Sequence, residues 1–77
     1  MKVQVQLFAH LVKYAPEGRD SFSIDLQQGA SVGELISNIG IPPEESRIII
    51  VNGRHSKEDK KLNEGDEIAI MTPVEGG

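Results

Sequence analysis

Gly29-Ala30-Ser31-Val32-Gly33-Glu34-Leu35-Ile36-Ser37-Asn38-Ile39-Gly40-Ile41-Pro42-Pro43 carries the clearest helix signal in the chain, and the fold is read outward from it. Ser31 and Glu34 have the spacing of a capping box. The Ser31 hydroxyl can accept from the backbone N–H of Glu34, and the Glu34 carboxylate can reach back to the N–H of Ser31. Val32, Leu35, Ile36 and Ile39 fall at i, i+3, i+4 and i+7, one apolar stripe of a helix. Gly40 sits where a left-handed residue ends a helix, Ile41 follows as its apolar contact, and Pro42-Pro43 forbids continuation. The helix is therefore predicted over Val32 to Ile39.

Before it, Val3, Val5 and Leu7 alternate with Lys2, Gln4 and Gln6, the period of a half-buried strand. Phe8 breaks the alternation and belongs at the strand end or on the outer face. Ala9 to Ala15 reads as a helical turn closed by Pro16, and Glu17-Gly18-Arg19-Asp20 as a turn. Phe22, Ile24 and Leu26 alternate with Ser21, Ser23 and Asp25 in a second strand. After the helix, Pro43 to Ser46 reads as a brief helical turn or a loop. Ile48-Ile49-Ile50-Val51 is a β-branched run, hence a strand with apolar groups on both faces. The run does not reveal which pair faces the helix. Asn52-Gly53 is a tight-turn signal. Arg54 to Lys61 is polar and exposed, with room for a short strand. Leu62 is a lone anchor, Asn63 to Asp66 a turn, and Glu67-Ile68-Ala69-Ile70-Met71 the last strand.

One helix covers one face of a sheet. The expected fold is therefore α+β in two layers, a mixed sheet of four to five strands packed on one main helix. Val3, Val5, Leu7, Phe22, Ile24, Leu26, Ile68 and Ile70 should meet Val32, Leu35, Ile36 and Ile39. The first and last strands can lie together in the middle of the sheet. Phe8, Ala69, Met71 and Val74 fall on the opposite side, as satellite packing or as an apolar patch for a partner. With 77 residues the chain is read as a single domain, 1–77, with a flexible tail over 72–77.

Composition removes several classes of function. The net charge of −4, with basic residues scattered, argues against nucleic-acid binding. No stretch approaches the roughly 20 apolar residues of a membrane span. The absence of cysteine excludes disulfides and thiolate metal sites and fits a cytoplasmic location. His10 and His55 are far apart without metal-ligand spacing and read as exposed. Glu44-Glu45, Glu58-Asp59 and Asp66-Glu67 match no calcium loop and read as solvated surface. Ser31 is a cap rather than a nucleophile. No phosphate-binding glycine loop occurs, so no cofactor is expected on this chain.

The remaining feature is Thr72-Pro73-Val74-Glu75-Gly76-Gly77. Two glycines add nothing to a core but give a slim backbone that can enter a slot where a side chain would collide. The chain resembles the ubiquitin-like β-grasp sulfur carriers of the MoaD/ThiS family, most closely the small subunits of molybdopterin synthase. The resemblance runs over essentially the whole chain. It rests on Phe8-Ala9 and Leu11, Gly29 to Leu35, Val51-Asn52-Gly53, Leu62, Gly65 to Ile68, and Pro73-Val74 ahead of Gly76-Gly77. Thr72 stands where the synthase subunits often carry another proline, which leaves the pathway open.

The resemblance implies a carrier without catalytic residues of its own. Its Gly77 carboxylate would be adenylated with ATP by a ubiquitin-activating-like adenylyltransferase of MoeB or ThiF type, then converted to a thiocarboxylate. Gly76 keeps the tail slim, and Phe8, Met71, Pro73 and Val74 are the expected partner contacts. The partners implied are the large subunit of molybdopterin synthase (MoaE type) or, for a thiamine carrier, thiazole synthase. A ubiquitin-like modifier joined through Gly77 to lysines is a further reading, and a plain interaction module another.

Overall fold

The computed structural model describes residues 1–73. Val74, Glu75, Gly76 and Gly77, which the sequence reading places at the heart of function, lie outside the described residues. Five strands form one sheet: β1 (Lys2–Leu7), β2 (Ser21–Asp25), β3 (Ile48–Val51), β4 (Arg54–His55) and β5 (Glu67–Met71). One helix, α1 (Val32–Ile39), packs against it. The spatial order is β2-β1-β5-β3-β4, with β1 and β5 parallel at the centre and the other pairs antiparallel. This is the β-grasp arrangement expected from the sequence.

The helix ends as its sequence dictates. Glu34 N–H donates to Ser31 Oγ at 3.2 Å, and Ser31 N–H donates to Glu34 Oε1 at 3.3 Å. The two remaining free donors of the first turn find a loop. Val32 N–H donates to Lys60 O at 2.9 Å and Gly33 N–H to Glu58 O at 2.8 Å. A side chain at Gly33 would crowd that contact, since its Cβ would stand 3.3 Å from Glu58 O. At the other end Gly40 adopts φ 95°. Its N–H bonds Ser37 O and the N–H of Ile41 bonds Ile36 O, the paired bonds of a Schellman motif. Ile41 is buried there.

Val3, Val5, Leu7, Leu26, Ile68 and Ile70 are buried against Val32, Leu35 and Ile36. Phe22, Ile24 and Ile39, expected in the same set, are only half-buried and rim the core. They lie along the side of β2 where, among the described residues, no further strand covers them. Leu11, from the 3₁₀ turn Ala9–Tyr14, is fully buried, a core residue the alternation did not identify. The β-branched run resolves by register. Ile49 pairs with Ile70 and Val51 with Ile68, so Ile49 and Val51 enter the core while Ile48 and Ile50 face outward.

Asp66, expected in solvent, is buried in a structural role, and Glu58, exposed as expected, holds an ion pair. Asp66 is 9% exposed; its Oδ1 accepts from Asn52 Nδ2 at 2.9 Å and its Oδ2 from Asn63 N–H at 2.8 Å. Asn52 Oδ1 in turn accepts from Glu67 N–H at 2.9 Å. These bonds lock the Asn52-Gly53 turn, whose φ values of 51° and 83° suit a type I′ hairpin, onto the start of β5. Glu58 Oε2 accepts from Arg47 Nη2 at 2.7 Å. Arg47 Nη1 also donates to Pro42 O and Glu45 O. The loop that caps α1 is thereby tied to the loop that leaves it.

Candidate functional site

The candidate site is the end of the central strand β5 and the outer sheet face beside it. β5 alternates along its length: Ile68 and Ile70 point into the core, while Ala69 and Met71 are half-buried on the other side. Pairing sets their neighbours. Ala69 lies between Gln6 of β1 and Ile50 of β3, and Met71 faces Ile48. Phe8 continues the β1 register beside Met71, with its N–H donating to Ile70 O at 3.1 Å. Phe8 is 37% exposed, the most exposed large apolar side chain among the described residues. The outer face is thus graded. Gln4 and Glu67 occupy the far end, and Phe8, Met71 and Ile48 form an apolar row where the chain leaves the sheet.

The structure brings Phe8 and Met71 together, as the sequence reading required, and adds Ile48 and Ile50. Thr72 is half-buried and Pro73 exposed, directly following the apolar row. Val74, Gly76 and Gly77 lie outside the described residues, so their expected roles belong to the proposal below.

Ala9 adopts φ 56°, a left-handed conformation uncommon for a residue with a Cβ. It turns the chain out of β1 into the 3₁₀ turn and aims His10, Lys13 and Tyr14 at the far side of the strand end. There they meet Glu45. His10 Nε2 donates to Glu45 Oε1 at 2.7 Å and Tyr14 Oη donates to Glu45 Oε2 at 2.8 Å. Lys13 Nζ stands 3.8 Å from the same carboxylate. The hydrogen bond from His10 foremost, then that from Tyr14, holds the Glu45 carboxyl below its ordinary value, with His10 and Lys13 charge adding to the effect against partial desolvation. The same bond to Glu45, more than desolvation, raises the Tyr14 phenol. Glu45, expected as solvated surface, is a half-buried joint between the 3₁₀ turn and the loop after α1. His10, Glu44, Glu45, Ser46, Thr72 and Pro73 line a shallow pocket at the tail root.

The described residues of this region offer contact surfaces. The Ser31 hydroxyl serves the helix cap. Among the described residues no group of three or more histidines or carboxylates is placed to hold a metal ion, and no helix is long and apolar enough to cross a membrane.

The ThiS family model matches residues 5–77. The chain belongs to the ThiS family. Its place is therefore in the ubiquitin-fold family that ThiS and MoaD represent. A Pyrococcus furiosus protein provisionally named molybdopterin converting factor, subunit 1, superposes with a TM-score of 0.80 at 33% identity, covering 95% of this chain and 98% of that one. Small archaeal modifier protein 1 of Haloferax volcanii superposes with a TM-score of 0.79 at 22% identity over 95% of this chain and 98% of its own. Subunit 1 in the Helicobacter pylori complex of subunits 1 and 2 of molybdopterin-converting factor gives a TM-score of 0.66 at 23% identity, over the whole of both chains. The last two likenesses carry the fold alone. Among curated proteins none matches the chain.

Proposed function

We propose that this ThiS-family member carries sulfur as a thiocarboxylate on Gly77 and donates it in molybdopterin biosynthesis. The observation that carries the reading is the family match, which runs through Gly76-Gly77. The Pyrococcus furiosus relative's provisional name supports molybdopterin over thiamine as the pathway. A carboxylate is a poor electrophile because its leaving group would be oxide. Adenylation by a partner consumes ATP, releases pyrophosphate and makes AMP the leaving group. The terminal sulfur of a partner's persulfide then attacks the acyl carbon and expels AMP, and a second partner thiol cleaves the S–S bond of the adduct, forming a partner disulfide and releasing the thiocarboxylate. With no thiol of its own, this chain supplies only the acyl carbon. The apolar row of Phe8, Met71 and Ile48, with Pro73 and Val74 following Met71 in sequence, is the surface by which both the adenylyltransferase and a synthase large subunit hold the domain while the glycines reach in. Burying such a row on association is favourable, and methionine adapts to more than one partner.

The test is intact mass of the full chain after incubation with the adenylyltransferase encoded in the same genome, ATP and a sulfur donor. The expected result is replacement of one oxygen by sulfur at Gly77. It is lost on deleting Gly76-Gly77, which leaves the thermal melt unchanged. No mass gain would overturn the carrier reading. Lysine-linked conjugates that need Gly77 would establish a protein modifier instead. Sulfur transfer to thiazole synthase, but not to a molybdopterin synthase large subunit, would move the pathway to thiamine.

A further inference from the structure

Away from the tail, the opposite edge of the sheet is open. Among the described residues β2 pairs only with β1. The bonds at the two ends of that pair fix which backbone groups are left over. Leu26 N–H donates to Met1 O, and the Met1 amino group donates to Leu26 O, both at 2.7 Å. At the other end Leu7 N–H donates to Asp20 O at 2.8 Å. Bonded and non-bonded residue pairs alternate along an antiparallel ladder. In the observed register the pairs Val3↔Ile24 and Val5↔Phe22 are therefore the bonded ones. The N–H and C=O groups of Ser21, Ser23 and Asp25 consequently point away from the sheet.

Beside this row lies an apolar trough between β2 and α1, lined by Tyr14, Pro16, Phe22, Ile24 and Ile39. It continues past Asn38 to a polar end at Asp25 and Glu34. Sheet edges are ordinarily guarded by shortness, proline, a bulge or charge. The other edge conforms: β4 has 2 residues, Arg54 and His55. β2 has 5 residues, no proline, and a charge only at its end, Asp25. The rim around it is acidic. Glu17, Asp20, Asp25 and Glu34 outnumber Arg19, the Met1 amino group and Lys2, the last opposite Asp25 in the register, while Lys13, over the Tyr14 ring, is paired with Glu45.

We propose that the β2 edge and the trough beside it bind an extended segment of a partner protein, apolar at alternate positions and bearing lysine or arginine next to them. Backbone pairing to Ser21, Ser23 and Asp25 supplies affinity. Alternate side chains entering the trough, and cations over the acidic rim, supply selectivity. This surface is independent of the tail and of the sulfur-carrier reading.

The experiment titrates the isotope-labelled full chain with a capped peptide of alternating valine and threonine that ends in two lysines. Amide shifts confined to residues 21–25 and 38–40, weakened by salt, are expected. Ser23→Pro removes one outward N–H while leaving the bonds of Phe22 and Ile24 to β1 in place, and should weaken binding roughly three- to tenfold, the worth of one hydrogen bond. A peptide N-methylated on its pairing edge should lose binding to the native chain, which keeps the test decisive if Ser23→Pro fails to fold. Asp25→Lys should reverse the preference toward a glutamate-ended peptide. Absence of shifts in β2, equal shifts from a proline-interrupted peptide, or sedimentation showing that a second copy of this chain occupies the edge would each overturn the proposal.

Discussion

The two sides of β5 divide the molecule's work. Ile68 and Ile70 are shut inside, packed with Val5, Leu7 and α1. One position along, Ala69 and Met71 remain half-exposed, next to Ile48, Ile50 and Phe8. Composition barely distinguishes the two sides, since both are apolar. The difference is the helix, which covers one side only. A strand can thus hold the fold with one face and keep the other for contacts, and substitutions on the two faces should fail in different ways.

The largest effect should come from the covered face. Ile70→Ala removes a fully buried side chain and should cost about 2–5 kcal/mol of unfolding free energy in a urea titration. In a domain this small that is a large share of total stability. Asp66→Ala should cost less, about 1–3 kcal/mol by the same measurement. It leaves Asn52 Nδ2 and Asn63 N–H without their acceptor, and amide exchange in the Asn52-Gly53 turn should accelerate.

Met71→Glu, one residue from Ile70, should change stability by only about 0.5 kcal/mol. It should nevertheless sharply reduce co-purification with the adenylyltransferase, by placing an unpaired charge in the contact surface. Equal stability losses for Ile70→Ala and Met71→Glu would break the division between the faces.

The smallest effect is pH-dependent. The Glu45 carboxyl is held below its ordinary value near 4.5. Its contribution is thus present above that value and lost as pH falls through the lower, folded one. Tyr14 is raised above 10.0, so its contribution is present below that pH and lost as pH rises through the higher, folded value. Glu45→Gln should flatten the acid limb of a stability profile and, by removing the charge beside the phenol, bring the alkaline limb of Tyr14 to lower pH. Tyrosinate absorbance reads the second change directly.

What the sequence made legible follows the range of the interactions. The Val32–Ile39 helix matched its predicted limits because both ends are set within a few residues, by Ser31 with Glu34 and by Gly40 with Ile41. The parity of Ile48 to Val51 was illegible because it is fixed by pairing with β5, some twenty residues on. Asp66 looked solvated because one of its partners, Asn52, belongs to a different turn. Leu11 sits in a 3₁₀ turn too short to show a period. Phe8 and Met71 were found as candidates because alternation sets them against the core-facing set. The Glu45 joint was missed because His10, Tyr14 and Glu45 approach only after the sheet forms.

The central pair also has a temporal meaning. β1 is made first, yet its middle neighbour is β5; Lys2 N–H, for example, donates to Glu64 across 62 residues. Contacts of that span are late to form and slow to close. During synthesis, β1 must wait for nearly the whole of this sequence before its second flank is covered. A nascent or truncated chain lacking β5 therefore has no platform from which a partner could take up the segment after Met71. The strand that completes the sheet is also the strand that precedes the tail in sequence, so under the sulfur-carrier proposal folding itself would act as the checkpoint on which molecules are offered for loading.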